Sequence, residues 1–226
     1  MKKLNLIVPV CALAFMMYAL PAMSMGYGLY FFGSGGNTTW RGDMGYGVNS
    51  VNGGFGFVMD TAVAKDRLFN FRLNVGADIL NSAYSRVDVY KFDVLCSFGF
   101  GLIRTETIRF WMGPQVGMRI NHDSGNVLQR KGIFYEVNIF GMFPSNARYD
   151  ASTGGIIGGL VMGVNFNIGE LLTLALDFGG RANVGTGTVH YNGYFRNYDK
   201  HETSWGYEGF VNFAFIFRVN DLYRYQ

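Results

Sequence analysis

From Phe69 to Ile79 the chain alternates without a fault. Phe69, Phe71, Leu73, Val75, Ala77 and Ile79 fall on one side, and Asn70, Arg72, Asn74, Gly76 and Asp78 fall on the other. A strict period of two marks a β-strand with one apolar and one polar face, because successive side chains leave a pleated backbone in opposite directions. The pattern recurs along most of the chain. Tyr90 to Phe100 opposes Phe92, Val94, Cys96 and Phe98 to Lys91, Asp93, Leu95, Ser97 and Gly99. Residues 109–120 set Phe110, Met112, Pro114, Val116, Met118 and Ile120 against Arg109, Trp111, Gly113, Gln115, Gly117 and Arg119. Weaker or shorter copies follow at 54–60, 159–166, 172–179 and 207–218, and a glycine-rich first strand at 26–32 shows little alternation. Eight strands result.

A soluble β-sandwich alternates too, but it buries its apolar faces against one another. Here the apolar face is built from large aromatic and aliphatic residues, while the other mixes Gly, Asn, Arg and Asp. Only 15% of residues are charged and 17% are aromatic, against about 25% charged in soluble domains. Strands of about 9–11 residues suit a tilted crossing of the hydrocarbon layer. The fold expected is all-β: a transmembrane antiparallel up-and-down β-barrel with its apolar face on lipid and its polar face inside.

The beginning of the chain supports export. Lys2 and Lys3 precede the uncharged stretch Leu4–Leu20, and Ala22-Met23-Ser24 is a small-x-small cleavage pattern. Residues 1–24 are therefore read as a signal peptide and 25–226 as one barrel domain of an outer membrane. Cys11 belongs to the leader, so Cys96 is the only mature cysteine and an internal disulfide is excluded. The formal net charge of +3 is dispersed, with no basic run to suggest nucleic acid.

Short turns are expected at Asp66-Arg67, Thr105-Glu106 and Gly169-Glu170. Long polar connections are expected at Ser34–Asn52, Asn121–Thr153 and Asn183–Ser204, with a shorter one at Asn81–Ser85. Such alternation assigns one rim to the periplasm and the other to the outside. Two rival readings remain. Residues 151–169 carry no charge and place Gly155, Gly159 and Gly163 at helix-interface spacing, although Asn165 and Asn167 fit a wet strand better. Ile133–Met142 and Thr188–Arg196 would supply two further strands, for a count of ten.

With Gly26-Tyr27-Gly28 in the first strand and Phe98-Gly99-Phe100-Gly101 in the fourth, the mature chain resembles the small eight-stranded outer-membrane barrels of the OmpW, OmpX and OmpA-transmembrane type. It leans toward OmpW by its length and long outer connections. Such barrels end on a terminal aromatic, whereas this chain continues from Phe217 through Gln226. The resemblance implies passive uptake of small hydrophobic molecules, or, as for OmpX-like members, surface adhesion by a plugged barrel. It also implies a monomer inserted by the assembly machinery for outer-membrane barrels, with membrane lipid and a hydrophobic solute or extracellular ligand as partners.

Inward parity falls on Arg72, Asp78, Lys91, Asp93, Arg109, Arg119, Asp177, Arg181, Glu208 and Arg218, the candidate polar network of the lumen. In a barrel this narrow, side chains fill the interior, so paired charges form a plug or the polar barrier of a selective conduit. Phe134, Tyr135, Phe140 and Phe143 make the longest outer connection unusually apolar and are the candidate binding residues there. His122-Asp123-Ser124 has the His-x-Ser spacing used by some lipid A-trimming barrels. It also lies in a polar stretch typical of turns, and no catalytic role is assigned. His122, His190 and His201 are placed in outer loops without metal-ligand spacing. Neither a metal nor a cofactor is expected.

Overall fold

The computed structural model describes residues 25–41, 46–61, 68–82, 88–126, 148–192 and 197–219. Eight strands follow in chain order: β1 (Gly26–Arg41), β2 (Tyr46–Asp60), β3 (Phe69–Ser82), β4 (Asp88–Arg104), β5 (Ile108–Asn126), β6 (Arg148–Ile168), β7 (Leu172–Asn192) and β8 (Asn197–Arg218). Each pairs antiparallel with its sequence neighbours, and β1 also pairs with β8 from Gly26↔Arg218 to Arg41↔Thr203. The ring therefore closes at eight, with no sheet edge among these strands. Thr188–Asn192 is the end of β7 rather than a further strand; residues 133–142 and 193–196 lie outside the described residues, as do residues 1–24 and the segment containing Asp66-Arg67.

Parity decides what faces where. Phe69, Phe100, Met118, Ile156, Leu160 and Phe217 are all exposed on the outer surface, whereas Arg72, Arg109, Asp177 and Asn165 are buried within. This polarity is the inverse of a water-soluble barrel. The outward apolar positions form a continuous belt: Ile108 to Ile120 on β5, Ile156 to Ile168 on β6, Leu172 to Val184 on β7 and Trp205 to Phe217 on β8. At ~3.3 Å per residue and the usual strand tilt, the belt stands roughly 30 Å tall, the height of a hydrocarbon layer. Cross-strand ring pairs reinforce it, with Phe69 against Phe100 at 5.6 Å and Phe71 against Phe98 at 5.4 Å.

Three sequence expectations need correction. Strands run on into the long polar connections: β1 continues to Arg41 and β2 begins at Tyr46, β5 continues to Asn126, and β7 and β8 fill most of 183–204, while residues 127–147 lie outside the described residues. Above the belt the outward face turns polar as well, so the polarity contrast disappears although backbone pairing continues. Residues 151–169 are not a helix but most of β6 and its turn. Gly155 and Gly159 sit where a Cβ would strike the carbonyls of Val184 and Gly180 on β7, so their spacing follows the pleat. The first strand alternates weakly because its inner face is also apolar: Tyr30 packs with Val58, Ala175, Ala214 and Ile216, and Phe32 rests against them.

The described turns are short. Thr105 closes β4–β5 by donating its amide to the carbonyl of Ile108 and receiving the Ile108 amide on its hydroxyl. Gly169 turns β6 into β7 with φ of 59°, a conformation in which a Cβ is strained.

Candidate functional site

All ten charged residues assigned to the lumen by parity point inward and are buried. Nine of them gather at two heights. The lower storey centres on Arg72 of β3, whose Nε donates to Asp60 Oδ2 at 2.8 Å while Nη2 also reaches that oxygen. Its Nη1 donates to Asp177 Oδ1 at 2.6 Å, and Nη2 donates to Asn165 Oδ1 at 2.9 Å. β3 and β7 stand opposite each other in a ring of eight, so the Arg72–Asp177 bond crosses the lumen from wall to wall. Trp111, fully buried, lies under the guanidinium at 4.8 Å and donates its indole N–H to Asn165 Oδ1 at 3.3 Å. Arg109, at the same end, reaches Asn70 Oδ1 at 3.5 Å.

The upper storey centres on Glu208 of β8. Arg119 grips Asp93 from Nε and Nη2 at 2.7 and 2.6 Å and crosses to Glu208 from Nη1 and Nη2 at 2.9 and 2.6 Å. Arg181 adds a bond to Glu208 at 2.8 Å, and Lys91 adds one at 3.1 Å. Asp78 is buried at this height within electrostatic reach of Lys91 and Arg119. Gln115 ties the group to the wall by donating to Ser97 Oγ at 2.9 Å.

Charge balances in each storey: Lys91, Arg119 and Arg181 face Asp78, Asp93 and Glu208 above, while Arg72 and Arg109 face Asp60 and Asp177 below. Unpaired ions in a low-dielectric interior are costly, so balance within each layer is what a closed lumen requires. Apolar packing fills space beside the charges, with Phe210 under Arg181 at 4.3 Å and in contact with Trp111 and Val161. Arg218 stands apart at the short-turn rim, where it donates to the carbonyls of Gly169 and Leu172 at 2.6 and 3.0 Å.

Parity therefore located the charges but not the pairs. Asp60 and Asn165, partners of Arg72, sat in the sequence as ordinary strand residues; the β2–β3 register sets Asp60 beside Arg72, and only closure of the ring brings Asn165 of β6 within reach. Phe134, Tyr135, Phe140 and Phe143 lie outside the described residues.

The histidines are placed differently from expectation. All three lie on strands, His122 on β5, His190 on β7 and His201 on β8, facing outward just above the apolar belt. The structure continues β5 through His122, Asp123 and Ser124, so they form no turn. His122 Nδ1 lies 3.1 Å from Ser152 Oγ and 3.5 Å from Asp150 Oδ1. Both partners share one ring nitrogen, whereas a relay from carboxylate to hydroxyl uses the two nitrogens separately. Among the described residues, no His, Cys, Asp and Glu group is arranged to hold a metal ion.

No protein-family model matches the chain, and no curated protein matches it in sequence. Solved structures with a similar course include a major outer membrane protein from Thermus thermophilus, at 14% identity and a TM-score of 0.42, covering 84% of this chain and 99% of that one. Neisserial surface protein A follows the chain over 81% of its length and 95% of its own, at 11% identity and a TM-score of 0.38. The Pseudomonas (P. putida) toluene transporter TodX does so over 88% and 90%, at 8% identity and a TM-score of 0.30.

Proposed function

We propose that this protein is an integral outer-membrane barrel that is closed at rest and acts through its surfaces rather than by conduction through its axis. The observation that carries this reading is the cross-lumen bonding at two heights. Arg72 joins opposite walls through Asp177, and Arg119 joins β5 to β8 through Glu208, with Arg181 and Lys91 on the same carboxylate. A solute moving down the axis would have to break both layers. Removing one member of such a buried group leaves the others charged and unpaired, at about 3–5 kcal/mol. An apolar solute offers no compensating bond.

Under this reading the barrel is a rigid membrane anchor, and its outer connections carry any adhesion or ligand binding, as loops on fixed scaffolds commonly do. Passive uptake of small hydrophobic molecules is the second reading. It draws support from an apolar recess on the outer wall beside Phe69, Phe98, Phe100 and Met112, not from the lumen. Planar-bilayer recordings of the purified protein test the closed state. Wild type is expected to show no stable conductance steps, and an Arg119→Ala/Glu208→Ala variant with Arg72→Ala added is expected to leak. A wild-type protein with steady open steps defeats the proposal.

A further inference from the structure

The ladders of the closed ring do not all reach equally far outward. Between β3 and β4, pairing runs from Phe69↔Phe100 to Ala77↔Phe92 and stops. Beyond that row β3 stays paired with β2 as far as Val51↔Ser82, and β4 with β5 as far as Asp88↔Ser124. Among the described residues no pair joins 78–82 to 88–91, so the wall is split there. The cause lies on the other edge of β3. Gly54 pairs with Asp78 but Gly53 pairs with Leu80, which leaves Ile79 as a bulge. A bulge bends its strand and adds local twist, so the outward end of β3 turns with β2 and leaves β4. Phe92 pairs with Ile120 and Tyr90 with His122, which sets the split at the outer margin of the apolar belt. Water reaches unpaired backbone at that level, whereas the hydrocarbon layer would not tolerate it.

Behind the split, two opposite charges on the inner face are not bonded to each other. One further step of the β3–β4 register would set Asp78 opposite Lys91, both of them buried in the lumen. Instead, Lys91 Nζ donates across the lumen to Glu208 Oε2 at 3.1 Å. With the Asn52 amide turned, Lys91 also reaches Oδ1 of that residue at 2.6 Å, which keeps the ammonium in front of the split. Asp78 Oδ2 is buried and meets no donor among the described residues, although Lys91 lies within electrostatic reach. A buried carboxylate oxygen left without a donor is costly. Glu208 does not depend on Lys91, because Arg119 and Arg181 hold it at 2.6 and 2.8 Å.

We propose that Lys91 is the latch of a two-state seam between β3 and β4. In the split state seen here it bonds Glu208. In the zipped state it moves to Asp78, the two become cross-strand neighbours, and the β3–β4 ladder grows outward past Ala77↔Phe92. The exchange trades one charge-assisted bond for another, so the two states lie close in free energy and both are populated. Arg119 and Arg181 stay on Glu208 in each state, and the axis remains barred in both. The latch governs only whether the outward end of the lumen is open sideways, at the margin of the belt. It does not depend on axial closure: a barrel that conducts still carries it.

The test is double electron–electron resonance on the full mature protein in phospholipid nanodiscs, in a Cys96→Ala background. Nitroxides at Val51→Cys and Tyr90→Cys, both exposed on the outer face, stand on the two sides of the split. A lower pair, Phe57→Cys with Val94→Cys, spans the same three strands where both ladders are intact, through Phe57↔Val75 and Val75↔Val94. The expected result is a shorter and a longer population at the outer pair and a single population at the lower pair. Asp78→Asn and Lys91→Gln are each expected to lose the shorter population, and Asp78→Glu is expected to keep it. A gel shift on heating verifies that each variant folds. An outer-pair distribution that is the same in all variants overturns the proposal. So does an equal change at the lower pair, which would mean general loosening of the wall. A shorter population that survives Lys91→Gln but not Asp78→Asn would assign the latch to another cation, and that also overturns it.

Discussion

Glu208 holds the upper storey together because three cations, Arg119, Arg181 and Lys91, converge on its two oxygens. Its loss strands positive charge in a buried layer. Glu208→Ala is therefore expected to destabilise the barrel by about 3–5 kcal/mol, measured by denaturant unfolding in lipid vesicles. Pairing Glu208→Ala with Arg119→Met should recover part of that loss, since removing opposite charges together leaves fewer ions unsatisfied. A double variant no more stable than the single one would mean that Arg119 is held by Asp93 alone. Asn70 carries a different lesson. Parity placed it inside as one more polar residue, but its meaning comes from Gly99 and Trp111, which lie far along the chain and meet it only across the sheet.

β7 shows at the level of the element why the sequence overstated the loops. Its outward residues change from Leu172, Leu174, Leu176 and Phe178 to Thr186, Thr188 and His190, yet its pairing with β8 continues unbroken to Asn192↔Asn197. Hydrophobic contrast reports lipid contact and not hydrogen bonding, so the strand outlasts its own signal. Phe178→Arg, near mid-belt, is accordingly expected to cost about 2–4 kcal/mol, whereas Thr186→Arg, above the belt on the same face, should fall within about 0.5 kcal/mol of wild type. Vesicle unfolding titrations of both compare them directly. Similar penalties for the two would place the membrane boundary elsewhere. β1 shows the opposite error, since Tyr30 and Phe32 make its inner face apolar and blur a strand that is fully paired on both sides.

For the whole molecule, closure is the property with most consequences. Every strand has two neighbours, so no edge is available from which detergent can unravel the sheet. The folded protein is expected to migrate faster on detergent gels before boiling than after. Identical migration would count against a closed barrel. Deleting Gly132–Asn146 should leave that heat shift intact, because β5 and β6 are paired through Asn126↔Arg148 and a shorter connection closes the ring as easily. If outer connections carry the activity, the same deletion should abolish binding to a surface ligand without raising conductance. Loss of the heat shift would instead make that segment part of the barrel's support.

What the sequence determined by itself was the class of fold and the side of the wall each residue of the clear strands takes. Period two is a local property, written in neighbours such as Phe71 and Arg72, and the lack of charge on one face selects lipid as its surroundings. The number of strands was legible only as a preference, because pairing of β1 with β8 joins the first strand to the last and leaves no local mark. The same holds for function. Arg72 and Asp177 each read as an inward charge, but whether they line a channel or bar it depends on the width of the ring that brings them to 2.6 Å.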